Sequence, residues 1–481
     1  MIATLFIALF VLLFLGTPVF VALGLSAVLA LVGFSDLPLM GVAQRLINGV
    51  DKFSLLAVPF FIFAANVMKN GGIAKRIMNW AKTMVGSSRG SLAVTTEVSC
   101  MFFGAVSGSS PATVVAMGSM MYPELIKEKY PKRFSLGLIT AAGSVAILIP
   151  PSINMIVYGT VTGASVGALF MGGIGAGLIY GLAYIVYCLW YAKKYNIPKG
   201  KKSTGREKWA ATKDAAWALG VPVIIMGGIY SGVCTPTEAS GVSALYAIII
   251  SMLVYREMDL KQLWKTCIDS VKACAQVMVM LATASIFSWV LTVGQVPQTV
   301  ATLIAEANFS PFMFLMMVNV LFLIAGMFID GSSATIILAP LLYPVAESLG
   351  IDLVHFGVMM VANIAIGMFS PPFGLNLFVA QPVTGAKMKD IIVGVFPYLA
   401  ISLIALIVIT YVPQITLFIP RLVYGGGHWS IKDSQSLSIG GTGPTGQCRC
   451  PFSFRCSGYG PAVSASPGQS SLHEETFDPC K

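Results

Sequence analysis

Two short stretches carry residue types suited to holding a small cation or an organic acid: GSSPATVVAMGSMMYP at 108–123 and GSSATIILAPLLYP at 331–344. Each is followed by a paired-proline interruption, IPPSINMIVYG at 149–159 and SPPFGLNLFVA at 370–380, with offsets of 41 residues from Ser109 to Pro150 and 39 from Ser332 to Pro371. Gly and Pro break helices and release backbone carbonyl and N–H groups. Hydroxyl oxygens beside free carbonyls suit Na⁺, and helix N-termini favour an anion. The chemistry implied is reversible binding, with no covalent step. A plainer reading stands beside it, because small residues in membrane helices commonly serve close packing. Asp330, just before the second GSS, either faces a ligand as an intramembrane ionisable group or caps the helix that follows.

The elements that hold these stretches must lie in a bilayer. Of 481 residues, 56% are hydrophobic and 10% charged, with a mean hydropathy of +0.82, whereas soluble domains run to about 25% charged. At about 20 apolar residues per span, the expected fold is all-α integral membrane, with about 10–12 transmembrane helices, two re-entrant hairpins and two broken helices. A soluble enzyme, a single-pass receptor and a nucleic-acid binder are excluded, so the net charge of +10 reads as cytoplasmic loops. From Gly425 the composition turns polar, and Cys448, Cys450, Cys456 and Cys480 cluster there. This divides the chain into a membrane part, 1–424, and a tail, 425–481, that transport does not need.

Charge placement gives the path. Residues 193–213 hold eight Lys or Arg against Glu207 alone and are expected in the cytoplasm, as are the basic segments 69–89, 127–133 and 256–272. Segments 295–311 and 345–354 contain acids and no Lys or Arg, so they are expected outside. Threading the apolar runs through these points starts the N-terminus in the cytoplasm, makes one crossing of 2–34 and lays an interfacial amphipathic helix over 73–85. One hairpin, about 90–121, enters from inside; a second, about 296–348, enters from outside; the C-terminus ends outside. The same motifs in the same order with opposite entry make an inverted-topology repeat, typical of secondary transporters.

Several stretches in combination, FSLLAVPFFIFAANVM (53–68), FFGAVSGSSPATVVAMG, GGIYSGVCTPTEASGVSALYA (227–247), FIDGSSATIILAPLLYPV and SPPFGLNLFV, resemble the large membrane subunit of tripartite ATP-independent periplasmic (TRAP) transporters. The resemblance spans residues 1 to 424. It implies a bacterial inner-membrane protein and an elevator mechanism, in which a transport domain carrying both hairpins slides against a scaffold. It also implies coupling to two or more Na⁺, a small four-helix membrane (Q) subunit and a periplasmic substrate-binding (P) protein. The small subunit is expected as a separate polypeptide. GSSPAT resembles the sialic acid branch, which makes N-acetylneuraminate the expected organic acid and a C4-dicarboxylate such as malate, succinate or fumarate the alternative.

Carried over by position, the resemblance implies one sodium site at Ser107, Gly108, Ser109 and Ser110 with Pro150, and a second at Gly331, Ser332 and Ser333 with Gly367 and Ser370. Ser109, Ser152, Asn154, Asp330 and Asn376 are expected to face the substrate. The rival readings are weaker. An ion channel would build its pore around one filter rather than two inverted hairpins, and an intramembrane enzyme lacks partners, since His355 is the sole histidine before the tail and Asp330 has Ser107 in the mirrored position. His355 is expected at a surface or interface, and Glu238 as a helix cap after Pro236. No phosphate-binding loop is present in the sequence, so ATP does not power the chain directly.

Overall fold

A computed structural model of the chain describes residues 1–424, apart from 36, 37, 39, 86–89, 198–203, 297, 300, 301 and 303–309. Among the described residues there is no strand. Within the same residues six helices are long and apolar enough to cross a membrane alone, and six further apolar helices of 10–17 residues are not. The short ones follow from the sequence: Gly and Pro divide runs that would otherwise span, leaving half-helices that turn back or resume after a break.

The chain begins with α1 (Ile2–Phe14), α2 (Val19–Phe34), α3 (Met40–Val50), α4 (Ala57–Asn70) and α5 (Ile73–Met84). The single crossing expected over 2–34 is instead two helices that pack on each other. Gly16, left-handed at φ +77°, ends the first, with the Thr17 N–H bonded back to the Leu12 carbonyl, and Pro18 sits as N-cap of the second. Helix α5 is the expected amphipathic one. Its Arg76 pairs with Asp214 at 3.3 Å and Glu257 at 2.7 Å and lies over the Tyr255 ring at 3.7 Å.

Next come α6 (Ser91–Ser107) and α7 (Ser110–Lys127), the first hairpin, then α8 (Lys132–Ala142), a 3₁₀ turn Gly143–Ile147, α9 (Ile153–Thr162) and α10 (Val166–Lys194). Helices α11 (Gly205–Tyr230), α12 (Pro236–Ile249) and α13 (Leu260–Val293) lead into the second half. There α14 (Pro311–Phe328) and α15 (Gly331–Ser348) make the second hairpin, followed by α16 (Leu353–Gly367), α17 (Leu375–Thr384), α18 (Met388–Tyr411) and α19 (Gln414–Tyr424). The 296–310 portion assigned to the second hairpin, Arg89, and the tail with its cysteines lie wholly or partly outside the described residues.

Packing sorts the helices into two groups. In the first, α4 packs on α12, α13 runs along α2, α3 and α4, and α5 lies on α11. In the second, α8 packs on α18, α10 lies against α6, α16, α18 and α19, and each hairpin's second arm meets the other repeat: α7 on α17, α15 on α9. Helix α16 is buried from Val354 to Gly367 and forms the centre of this group. Close approach is needed there, because a Cβ added at Gly367 would sit 2.6 Å from the Gly326 Cα. Glu238 caps as expected, completing a capping box with Thr235. His355 does not lie at the surface: it is 2% exposed, and its ring nitrogens meet the Thr416 hydroxyl at 2.8 Å and the Thr410 carbonyl at 3.1 Å.

Candidate functional site

At the first hairpin tip the chain reverses through Gly108, held at φ +57°, and an extended Ser109. Glycine is required on two grounds: the left-handed backbone, and the Pro151 carbonyl oxygen 2.6 Å from where a Cβ would stand. The tip is closed by its own hydroxyls, with Ser107 Oγ 3.0 Å from Thr113 Oγ1, which donates to the Ser109 carbonyl at 2.9 Å. At the second tip Asp330 is the N-cap of α15. Its Oδ2 accepts from the backbone N–H of Ser332 and Ser333, each at 3.1 Å, and its Oδ1 from the Ser333 hydroxyl.

The two proline breaks resemble each other in backbone, each with a cis Pro–Pro bond, at 150–151 and 371–372. Ser152 caps α9, accepting from the Met155 N–H at 3.4 Å. Ser370 Oγ donates back to the Ile366 carbonyl at 2.8 Å, which fastens the end of α16. The asparagines then reach across to the opposite repeat. Asn154 Oδ1 accepts from Ser332 Oγ at 2.9 Å. Asn376 Nδ2 donates to Ser110 Oγ at 2.8 Å and to the Thr140 carbonyl at 3.2 Å, and its Oδ1 is buried without a partner.

The N-terminus of α7 thus abuts that of α17, α15 abuts α9, and the Gly108–Pro151 contact joins the two pairs. The pairs differ in one chemical respect. Helices α9 and α15 have side-chain caps, from Ser152 and Asp330, whereas α7 and α17 have none. Without a side-chain cap α7 and α17 keep a partial positive charge, although Pro111 has no N–H and the Asn376 N–H already donates to the Met368 carbonyl at 2.8 Å. The α9–α15 pair instead carries the Asp330 carboxyl, so an anion is better received at the α7–α17 pair. The unpartnered Asn376 Oδ1 at the same place is the kind of neutral oxygen Na⁺ takes.

Sequence patterning did not single out Thr113, whose side chain holds the first tip together. Nor did it find Asn319 and Asn363, which bind each other at 2.9 Å and tie α14 to α16; their signal is visible as two Asn in otherwise apolar runs. Glu97, on α6, is 0% exposed with no hydrogen bond to either oxygen. Leaving such a group unpaired costs about 1–3 kcal/mol. Glu97→Met is therefore expected to raise the melting temperature of the purified protein; a lower value would mean that the carboxyl makes a bond essential to the fold.

Residues 6–415 match the family described as "Tripartite ATP-independent periplasmic transporter, DctM component". The chain belongs to that family. It is a TRAP-type permease component, a transporter rather than an enzyme family, and a multi-pass membrane protein. Among its relatives, the C4-dicarboxylate TRAP transporter large permease protein DctM of Rhodobacter capsulatus is 41% identical over 423 residues, covering 85% of this chain and 96% of that one. The isethionate TRAP transporter permease protein DctMQ of Oleidesulfovibrio alaskensis is 41% identical over 408 residues, 84% of this chain and 64% of that one. The ectoine/5-hydroxyectoine TRAP transporter large permease protein UehC of Ruegeria pomeroyi is 38% identical, covering 88% of this chain and 100% of that one. In fold the permease is similar to the YdaH transporter of Alcanivorax borkumensis, with a TM-score of 0.58 at 14% identity over 82% of this chain and 90% of that one. None of these relatives is named for sialic acid, so the specificity expected from GSSPAT is not supported by them.

Proposed function

We propose that this permease takes up a C4-dicarboxylate together with Na⁺ across a bacterial inner membrane, as an elevator in which the group holding both hairpins moves against the group built on α4, α12 and α13. The observation that carries the reading is the meeting of two uncapped helix N-termini, α7 and α17, at the unpartnered Asn376 Oδ1. One arrangement supplies donors for a carboxylate and an oxygen for a cation. In this reading Ser107, Gly108, Ser109 and Ser110 with Pro150 form one sodium site and Gly331, Ser332, Ser333, Gly367 and Ser370 the other, while Ser109, Ser152, Asn154 and Asn376 face the substrate, Asn376 also lending its Oδ1 to the cation beside Ser110.

The dicarboxylate replaces sialic acid as the favoured substrate for two reasons. A relative named for C4-dicarboxylates covers nearly its full length at 41% identity. A polyhydroxylated sugar acid would use Asp330 as an acceptor for its hydroxyls, and both Asp330 oxygens already accept from α15. Membership of the family further supports a small membrane subunit and a periplasmic binding protein as working partners, in keeping with the DctMQ name of one relative.

Proteoliposomes holding the permease with its small subunit and binding protein decide the matter. Labelled succinate is expected to accumulate under an inward Na⁺ gradient, and a Na⁺ ionophore is expected to stop accumulation. Uptake of N-acetylneuraminate in place of succinate would overturn the substrate, and accumulation that survives the ionophore would overturn the coupling.

A further inference from the structure

A cavity of about 210 Å³ is walled by α3 and α13 on one side and by α9 and α15 on the other. It thus lies between the two packing groups. Its lining includes two cations, Arg45 and Lys52, the hydroxyls of Ser285, Ser288 and Thr292, and the Trp289 indole, and it includes no Asp or Glu. Asp51 adjoins Lys52 in sequence and does not line it.

Neither cation has a carboxylate partner among the described residues. Lys52 Nζ donates to the Thr160 carbonyl at 2.8 Å, using one of its three N–H groups at the last turn of α9. The Arg45 guanidinium lies 5.5 Å above the Trp289 ring. Both are exposed and so accessible to an anion. The opposite wall includes Ile336 on α15, four residues or about 6 Å along the helix from Ser332 at the tip. An acid-free pocket with two cations and a row of hydroxyls is built for an anion with two charged ends.

We infer that this cavity is a vestibule that binds a dicarboxylate between Arg45 and Lys52 before it reaches the hairpin tips. The inference rests on the dicarboxylate reading above for its ligand. The plainer alternative is structural, with Lys52 capping α9 and Arg45 stacking on Trp289.

Binding by the purified permease, read from tryptophan fluorescence, separates the two without requiring transport. Succinate is expected to give a saturable change that Trp289→Phe abolishes and that Lys52→Gln or Arg45→Gln weakens about tenfold, with Lys52→Arg retaining it. Succinamate, with one charged end, is expected to bind the wild type about tenfold more weakly and to lose less in either variant. In uptake assays the same two Gln variants are expected to raise KM for succinate and leave kcat within about twofold. Equal effects of the Gln variants on succinate and succinamate, or no saturable change, would overturn the vestibule. So would a change that appears in phosphatidylglycerol nanodiscs without succinate, which would make the occupant a lipid phosphate. If the fluorescence change is present and succinate is not transported, the vestibule stands and the proposed substrate fails.

Discussion

Asn376→Ala is expected to lower succinate uptake by at least about a hundredfold and to weaken the response to Na⁺. The side chain makes two hydrogen bonds, to Ser110 Oγ and the Thr140 carbonyl. Removing it leaves both partners buried at a cost of about 1–3 kcal/mol each. With tenfold in an equilibrium for every 1.4 kcal/mol, that loss alone reaches the expected scale if the tip must stay docked on α17. The free Oδ1 gives the experiment its discriminating power. If that oxygen binds Na⁺, Asn376→Ala raises the Na⁺ concentration for half-maximal uptake, while Asn376→Asp keeps an oxygen ligand and restores part of the Na⁺ response. If Asn376 only fastens α7 to α17, the Ala variant lowers the maximal rate and the melting temperature and leaves the Na⁺ dependence where it was. Uptake within about twofold of wild type would remove Asn376 from the mechanism altogether.

Much of this site was legible in the sequence because it is written twice. GSS before an apolar helix and PP before SIN or FGLN mark the same two events in each half, and their nearly equal spacing, 41 and 39 residues, distinguishes a repeat from chance. What the pattern could not tell was which partners meet. Along the chain, tip one is nearest the Pro150 break and tip two nearest the Pro371 break. In the fold the asparagines cross over, Asn154 to Ser332 and Asn376 to Ser110. The first tip also touches its own break, through Gly108 and the Pro151 carbonyl, so it bridges both repeats. Apolar runs fix where helices lie in a bilayer, but inverted repeats satisfy that condition equally with either pairing. Asp330 shows a related limit: a carboxyl before GSS has the sequence signature of both a ligand and an N-cap, and only the positions of Ser332 and Ser333 display the capping bonds. Arg45 and Lys52 were not visible as a pair with residues 285–292 at all, since a cavity assembled from 45, 160, 288 and 336 leaves no local motif.

Gly108→Ala should be far more damaging to transport than Gly385→Ala. Both glycines have left-handed backbones, φ +57° and +64°, so each substitution carries a dihedral penalty of roughly 1 kcal/mol. At Gly385 nothing lies within 4 Å of the added Cβ, and that penalty is the whole effect. At Gly108 the methyl would stand 2.6 Å from the Pro151 carbonyl oxygen, with backbone on both sides of the contact and no flexible side chain to give way. Either the first tip lifts from the break, which strains the Asn376–Ser110 bond between α7 and α17, or the break itself moves and draws the start of α9 with it. Uptake by Gly108→Ala is therefore expected to fall by about a hundredfold or more, against about twofold or less for Gly385→Ala, with a melting temperature several degrees below that of the Gly385 variant. Equal losses in the two variants would show that backbone strain alone is at work and that the tip need not touch the proline break for transport.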